Sequence, residues 1–265
     1  MQPTLVLLAF SAGTQAISAP RTKAALQVCG AKAALQVRGG GLDDLDVVKA
    51  GAAALGAAGL QQWVSPKASL AMHGVTGADA SALALRRAVG AFQLGLAYLL
   101  TAEDPLAAAP FVCATSILAI VPSNEDFNAP KEPLLAWVLA LTVLGKMEAS
   151  PWVITGLFLA NGAFNYFASE RSLKMYGCSG KKGLSKLGVA MNKLAGAMML
   201  FTGVYLAALA HGEDATTAFG YTAALICAHV AAFALSGEAT NDGYPNKIPL
   251  AWLAVFGPLA FRALN

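Results

Sequence analysis

The sequence predicts an all-α protein, a polytopic membrane helical bundle of two parallel four-helix repeats with about eight transmembrane helices. Three observations predict it: an apolar composition, an internal repeat, and apolar segments separated by short polar stretches. Hydrophobic residues make up 57% of the 265 residues and charged residues only 12%, and the mean hydropathy is +0.57. Soluble domains carry about 25% charged residues. This composition excludes a soluble enzyme, a disordered regulator and a nucleic-acid binder.

We expect residues 1–42 to be a cleavable targeting leader. They contain four bases and no acid, since the first acid is Asp43. The apolar run over residues 5–10 fits a signal-peptide core, and small residues follow it at a suitable cleavage site. The basic remainder, with Ile17-Ser18-Ala19-Pro20, resembles the two-part leader of plastid proteins and predicts a thylakoid or envelope protein. The alternative is a plain secretory signal that leads to an endomembrane or the plasma membrane.

The mature chain contains an internal repeat. Residues 59–74 match residues 162–177 without gaps. Both segments carry the pattern Ser-Leu-x-Met-aromatic-Gly, which differs from the chance similarity expected between two apolar segments. The match continues through residues 87–91 and 193–197, and it returns at the start of the last helix of each unit. We interpret this as a duplication, with residues 43–148 as the first four-helix repeat and residues 149–265 as the second.

Each repeat contains four apolar segments. Backbone groups in lipid must pair internally, so these segments are expected to be helices. The predicted ranges are 47–64, 84–102, 106–122 and 133–146 in the first repeat, and 151–168, 187–210, 216–236 and 249–264 in the second. The segment before Gly145 is the weakest and Pro258 interrupts the last one, so seven spans or a re-entrant segment are the alternatives to eight.

The distribution of bases predicts the orientation. Eleven of the fourteen bases after the leader fall on the side of the Ser-Leu-x-Met loops. The positive-inside rule therefore places those loops in the stroma or cytosol and both termini in the lumen or exterior. An even number of spans in each repeat makes the two repeats parallel.

Several residues of the first repeat resemble the DoxX-like group of small four-helix membrane proteins. Pro66 follows the first helix, Arg87 opens the second, and Gly90, Leu94 and Gly95 come next. The likeness covers most of residues 47–264, as a tandem duplication, although the second repeat has Ser and Lys in place of the Pro and Arg. The resemblance implies the four-helix fold. That group includes a subunit associated with quinone-linked oxidation.

Polar residues within the apolar segments are candidate binding residues, since polar groups in lipid are costly. Gln62 and Asn165 occupy matching positions, each three residues after a glycine, and could line a pocket between the repeats. Asn161 lies one turn before Asn165, and Gln93 lies in the middle of its segment. The alternative is that these amides only form hydrogen bonds between helices where small residues let the backbones approach.

Three basic or titratable residues complete the candidate set. His229 is the one His well inside an apolar segment and could shuttle protons or ligate a haem or quinone. Its alternative role is a neutral imidazole bonded to a neighbouring helix. Arg87 and Lys193 open the second helix of their repeats and could bind an anionic head group or a carboxylate, or extend to lipid phosphates.

The sequence contains no phosphate loop, catalytic triad order, metal cluster or dinucleotide fingerprint, so we expect no enzyme, cofactor or metal site. The leading expectation is a plastid membrane protein that binds or transports a small solute or lipid-like molecule at the repeat interface. A non-catalytic structural or assembly partner of a membrane complex is the alternative, and a redox-complex subunit that uses His229 is the third. The expected partners are the bilayer, that small molecule and membrane-complex subunits, but no nucleic acid.

Overall fold

The computed structural model describes residues 46–123, 129–178, 184–237, 241 and 247–265. Those residues form ten α-helices and no strand, which confirms the all-α class. The leader predicted over residues 1–42 lies outside the described residues. The helices are α1 (Val47–Val64), α2 (Pro66–Met72), α3 (Ala80–Leu99), α4 (Pro105–Ile120), α5 (Glu132–Lys146), α6 (Pro151–Phe167), α7 (Ser169–Met175), α8 (Lys186–His211), α9 (Ala215–Leu235) and α10 (Lys247–Leu264).

Five helices begin after an Asp or Ser whose side chain caps the first turn. The capping side chains, which accept a hydrogen bond from a backbone N–H two or three residues further on, are Asp46, Asp79, Asp104, Ser185 and Asp214. Each such cap stabilises a helix by about 1 kcal/mol. The cap at Asp79 starts α3 at residue 80, whereas the hydropathy pattern predicts residue 84.

Two short helices replace the predicted Ser-Leu-x-Met loops. Pro66 occupies the first turn of α2, where its missing N–H costs no hydrogen bond. Gly74 and Gly177, two residues beyond α2 and α7, have φ of 73° and 75° and reverse the chain. Helices of seven residues are too short to produce a hydropathy period, so the sequence pattern did not reveal them.

Three of the described helices are long and apolar enough to cross a membrane. They are Pro105–Ser123, which is α4 with a 3-10 turn at its end, and the whole of α8 and α9, with mean hydropathies of 1.9, 1.6 and 1.7. These helices identify a membrane protein. The last helix, α10, is continuous through Pro258, where the sequence predicts an interruption. A proline removes one intrahelical hydrogen bond, and α10 continues past this loss.

Helices α3 and α8 form the centre of the bundle and pack on each other. Ser81, at the start of α3, lies beside Gly188, at the start of α8, so the two helices run in the same direction. Helix α1 packs on α3, and α6 packs on α8. Helix α4 packs on α3 and α5 packs on α4, while α9 packs on α8 and α10 packs on α9. Helices α9 and α10 also touch α1. Beside the short helices, a buried core joins Leu70 and Leu85 to Leu173 and Met191.

Two glycine pairs set the closest helix approaches. A Cβ added at Gly90 would lie 2.6 Å from the carbonyl oxygen of Gly59, and one at Gly196 would lie 2.8 Å from that of Gly162. These obstacles are backbone atoms, which cannot move aside as a flexible side chain can. Glycine at all four positions therefore lets α1 lie directly on α3, and α6 on α8.

Candidate functional site

A pocket of about 90 Å³ lies among α1, α3, α8 and α9, between the two halves of the chain. A cavity of roughly 10–15 Å³ holds one water molecule, so this pocket can admit a small organic group. Its apolar lining consists of Leu55, Val89, Leu194, Met198, Phe201, Ile226, Val230, Phe233 and Trp252. Its polar lining consists of Gln62, His73, Arg86, Gln93 and His229.

Two buried amides meet in the pocket wall. The Nε2 of Gln62 donates a hydrogen bond of 2.6 Å to Oε1 of Gln93. Both side chains are only 4% exposed. In the part of the chain that the structure describes, Oε1 of Gln62 accepts no hydrogen bond. Gln62 therefore adds a buried acceptor without a donor to the pocket lining.

The buried guanidinium of Arg86 lies at the end of the pocket where α3 begins. Nε and Nη2 of Arg86 donate hydrogen bonds of 3.1 and 3.0 Å to Oγ of Ser69. Nη2 also lies 3.4 Å from Nε2 of His73, while Nδ1 of His73 lies 2.7 Å from the carbonyl oxygen of Ser69. This geometry fits a neutral imidazole that donates from Nδ1 and accepts at Nε2. Burial, followed by the charge of Arg86, lowers the pKa of His73 from 6.5 to about 4.

His229 projects from α9 into an aromatic environment. Its Nδ1 lies 3.0 Å from the hydroxyl of Tyr166, which belongs to α6. Its ring stacks on Phe233 with a centroid distance of 6.1 Å and meets Phe201 edge-on at 5.7 Å. The contact with Tyr166 joins His229 to a neighbouring helix. This is the kind of contact that the alternative role of His229, a neutral imidazole bonded to another helix, requires. His229 and His73 line the same pocket, although they are far apart in sequence.

The polar groups of the pocket lie at two depths. His73 and Arg86 lie at the end where α3 begins, while Leu55 and Phe201 lie near the middle of α1 and α8. A helix rises about 1.5 Å per residue, so the seven residues from Arg86 to Gln93 place the amide pair roughly 10 Å further along α3. A molecule in the pocket can therefore meet polar groups at both depths, with apolar side chains around them.

Asn161 and Asn165, both predicted binding residues, do not line the pocket. Nδ2 of Asn165 donates to Oδ1 of Asn161 at 3.0 Å, and Oγ of Ser172 donates to Oδ1 of Asn165 at 2.6 Å. The hydroxyl of Tyr176 donates to Oδ1 of Asn161 at 3.1 Å. These bonds attach the short helix α7 and its end to α6. Gln62 and Asn165 therefore have different surroundings, although they occupy matching positions in the repeat.

Arg87 and Lys193 also lie outside the pocket. Nη1 of Arg87 lies 3.5 Å from Oγ of Ser123, at the end of the 3-10 turn after α4. Lys193 is half-buried on α8, next to Asn192, whose Nδ2 donates to Oγ of Ser169 at 3.1 Å. The structure thus brings together Gln62, Gln93 and His229 from the predicted set and leaves the other four apart.

Arg86 and His73 line the pocket but were not among the predicted site residues. Helical spacing could have revealed the first, because Arg86, Val89 and Gln93 stand at positions i, i+3 and i+7 and share one face of α3. Arg87 lies about 100° round the helix from that face. His73 falls in a polar stretch between two apolar segments, and no local signal shows that the turn after α2 folds over the pocket.

The described residues contain no group of three or more His, Cys, Asp or Glu side chains that could hold a metal ion. No protein-family model matches the sequence, and no curated protein or solved structure is significantly similar to it. The resemblance to the DoxX-like group therefore stays a prediction.

Proposed function

We propose that this chain is a plastid multi-pass membrane protein that binds a small lipid-like molecule in the pocket between its two halves, as a carrier does. The observation that supports it is the composition of the pocket wall. Nine apolar side chains and five polar ones come from both halves of the chain and surround one space. Small-molecule sites typically have this combination of apolar walls and a few well-placed polar groups.

The depth of the polar groups favours an amphipathic ligand. Trp252 and Phe233 lie near the ends of α10 and α9 that adjoin the start of α3, where His73 and Arg86 also lie. The polar group of the ligand would lie between this end and the amide pair, and its apolar part would extend towards Leu55. A purely water-soluble solute would leave the apolar wall uncovered.

The proposal includes a duplicated architecture with eight spans. The helices have 18, 7, 20, 16 and 15 residues up to α5, and 17, 7, 26, 21 and 18 from α6 onwards. The two glycine pairs and the parallel central helices support the same idea. Duplicated membrane bundles commonly bind their ligand where the repeats meet.

Co-purification with paired tryptophan variants tests the proposal. Val230 lines the pocket, whereas Ala232, two residues along the same helix, is exposed. The wild type and both variants would be purified in mild detergent, and every bound molecule would be identified by mass spectrometry. We expect one amphipathic compound in the wild type and in Ala232→Trp, and its loss from Val230→Trp. Equal contents in all three, with the protein held in a large complex, would instead favour the assembly role.

A further inference from the structure

We infer that the ligand is a neutral lipid alcohol, whose hydroxyl group donates a hydrogen bond to Oε1 of Gln62. This inference rests on the proposed binding function and names the chemical class of the ligand. It depends on three observations: the buried acceptor, the amide that holds it in place, and the charge in the same pocket.

The acceptor is Oε1 of Gln62. The side chain is 96% removed from solvent, since its exposed fraction is 4%, and within the described residues no donor reaches this oxygen. A buried carbonyl oxygen without a hydrogen bond destabilises the protein. A ligand that supplies a donor removes this destabilisation on binding.

The position of the acceptor is set by the backbone. Gly59 and Gly90 bring α1 onto α3, and Gln62 lies one turn after Gly59. The hydrogen bond to Gln93 then holds the Gln62 side chain in place at the pocket wall. The acceptor is therefore preorganised, which reduces the entropy lost when a ligand binds.

The remaining pocket groups restrict the donor to a neutral one. A carboxylate would be attracted by the guanidinium of Arg86, but it has no proton to donate and would leave Oε1 of Gln62 without a hydrogen bond. An ammonium group could donate, but it would share the pocket with the guanidinium of Arg86. A hydroxyl group donates without charge, and its own oxygen can also accept a hydrogen bond. An alkyl or isoprenoid chain attached to it would lie along the apolar wall.

A binding series separates this inference from the proposed function. A radiolabelled long-chain primary alcohol would be bound to the purified full-length protein and displaced with the unlabelled alcohol, its methyl ether and the matching carboxylic acid. One hydrogen bond of about 1 kcal/mol predicts roughly fivefold tighter binding of the alcohol than of the ether. Gln62→Leu should reduce this ratio to about one, whereas Gln61→Leu, at the neighbouring residue of α1, should preserve it.

The possible results have distinct meanings. If the ether or the acid binds wild-type protein as tightly as the alcohol does, the inference is wrong, although an amphiphile-binding pocket remains. If none of the three compounds binds in a manner that Val230→Trp abolishes, the proposed function itself fails. The comparison of alcohol and ether needs only the wild type, so it decides the inference even if Gln62→Leu does not fold.

Discussion

Gln62 and Gln93, 31 residues apart in sequence, are joined by a buried hydrogen bond of 2.6 Å between α1 and α3. Each residue is a polar interruption of an apolar helix, and each alone would be costly in a membrane. Together they satisfy one donor and one acceptor and leave a further acceptor at the pocket wall. This pair links the helix packing of the first half to the site proposed between the halves.

The glycine contacts predict a strong effect of adding a single methyl group. Gly90→Ala should lower the thermal stability in detergent, by about 1–3 kcal/mol, because the new Cβ would lie 2.6 Å from backbone atoms of Gly59 and Trp63. Gly156→Ala on α6 is the matched control, since its Cβ would meet nothing within 4 Å. It should be neutral or stabilising by up to about 1 kcal/mol. Equal melting temperatures for the two variants would contradict the proposed close approach of α1 and α3.

Adjacent arginines should differ in their effect on ligand retention. Arg86→Met removes a pocket-lining group together with its hydrogen bonds to Ser69, and hydrogen bonds to charged groups contribute about 1.5–3 kcal/mol each. We expect lower stability and loss of the co-purifying ligand. Arg87→Met should keep the ligand, because Arg87 lies outside the pocket. Quantitative mass spectrometry of both variants checks this, and ligand loss from Arg87→Met alone would place the site elsewhere.

The pKa of His73 predicts a stability loss in mild acid. Burial, then the charge of Arg86, lowers the pKa in the folded protein to about 4 from 6.5. Between these two values the unfolded chain binds more protons, so stability is complete above pH 6.5 and falls as the pH drops towards 4. The full loss is roughly 3 kcal/mol. The melting temperature of wild type should fall more between pH 7 and pH 5 than that of His73→Gln, and parallel curves for the two proteins would refute the prediction.

The amide cluster of the second half should affect stability and not binding. Asn165→Leu removes the acceptor of Ser172 and the donor to Asn161, which should cost roughly 1–3 kcal/mol. The variant should nevertheless retain the ligand to the same extent as wild type, since Asn165 does not line the pocket. Thermal unfolding and ligand quantification on the same preparation check both parts. If the variant is stable but has lost its ligand, the prediction is wrong and Asn165 belongs to the binding site.

Much of the fold could be predicted from the hydropathy pattern, for a physical reason. Long apolar segments in lipid must form helices, and polar stretches with Asp or Gly mark their ends. The predicted boundaries of α1 and α6 accordingly lie within one residue of those observed. The start of α3 was missed because a cap such as Asp79 lies within a stretch of weak hydropathy.

The site was harder to predict, because hydrogen-bonding partners are set by tertiary packing. The repeat suggested that Gln62 and Asn165 would share a role, yet Gln62 pairs with Gln93, whereas Asn165 pairs with Asn161 and Ser172. The reason is the substitution at the equivalent of Gln93, which is Met199 in the second half. An amide with no amide opposite it takes its partners from its own helix and from the adjoining short one.

Photo-crosslinking in native membranes tests the central claim most directly. A photoreactive phenylalanine analogue would replace Phe233, which lines the pocket, or Phe261, which is 72% exposed on α10. After irradiation, the mass added to each protein identifies its neighbour. The account predicts one amphipathic adduct at position 233, and at position 261 the mixed adducts of bulk lipid. The same mixture at both positions, or a protein adduct at 233, would contradict a ligand site between the two halves.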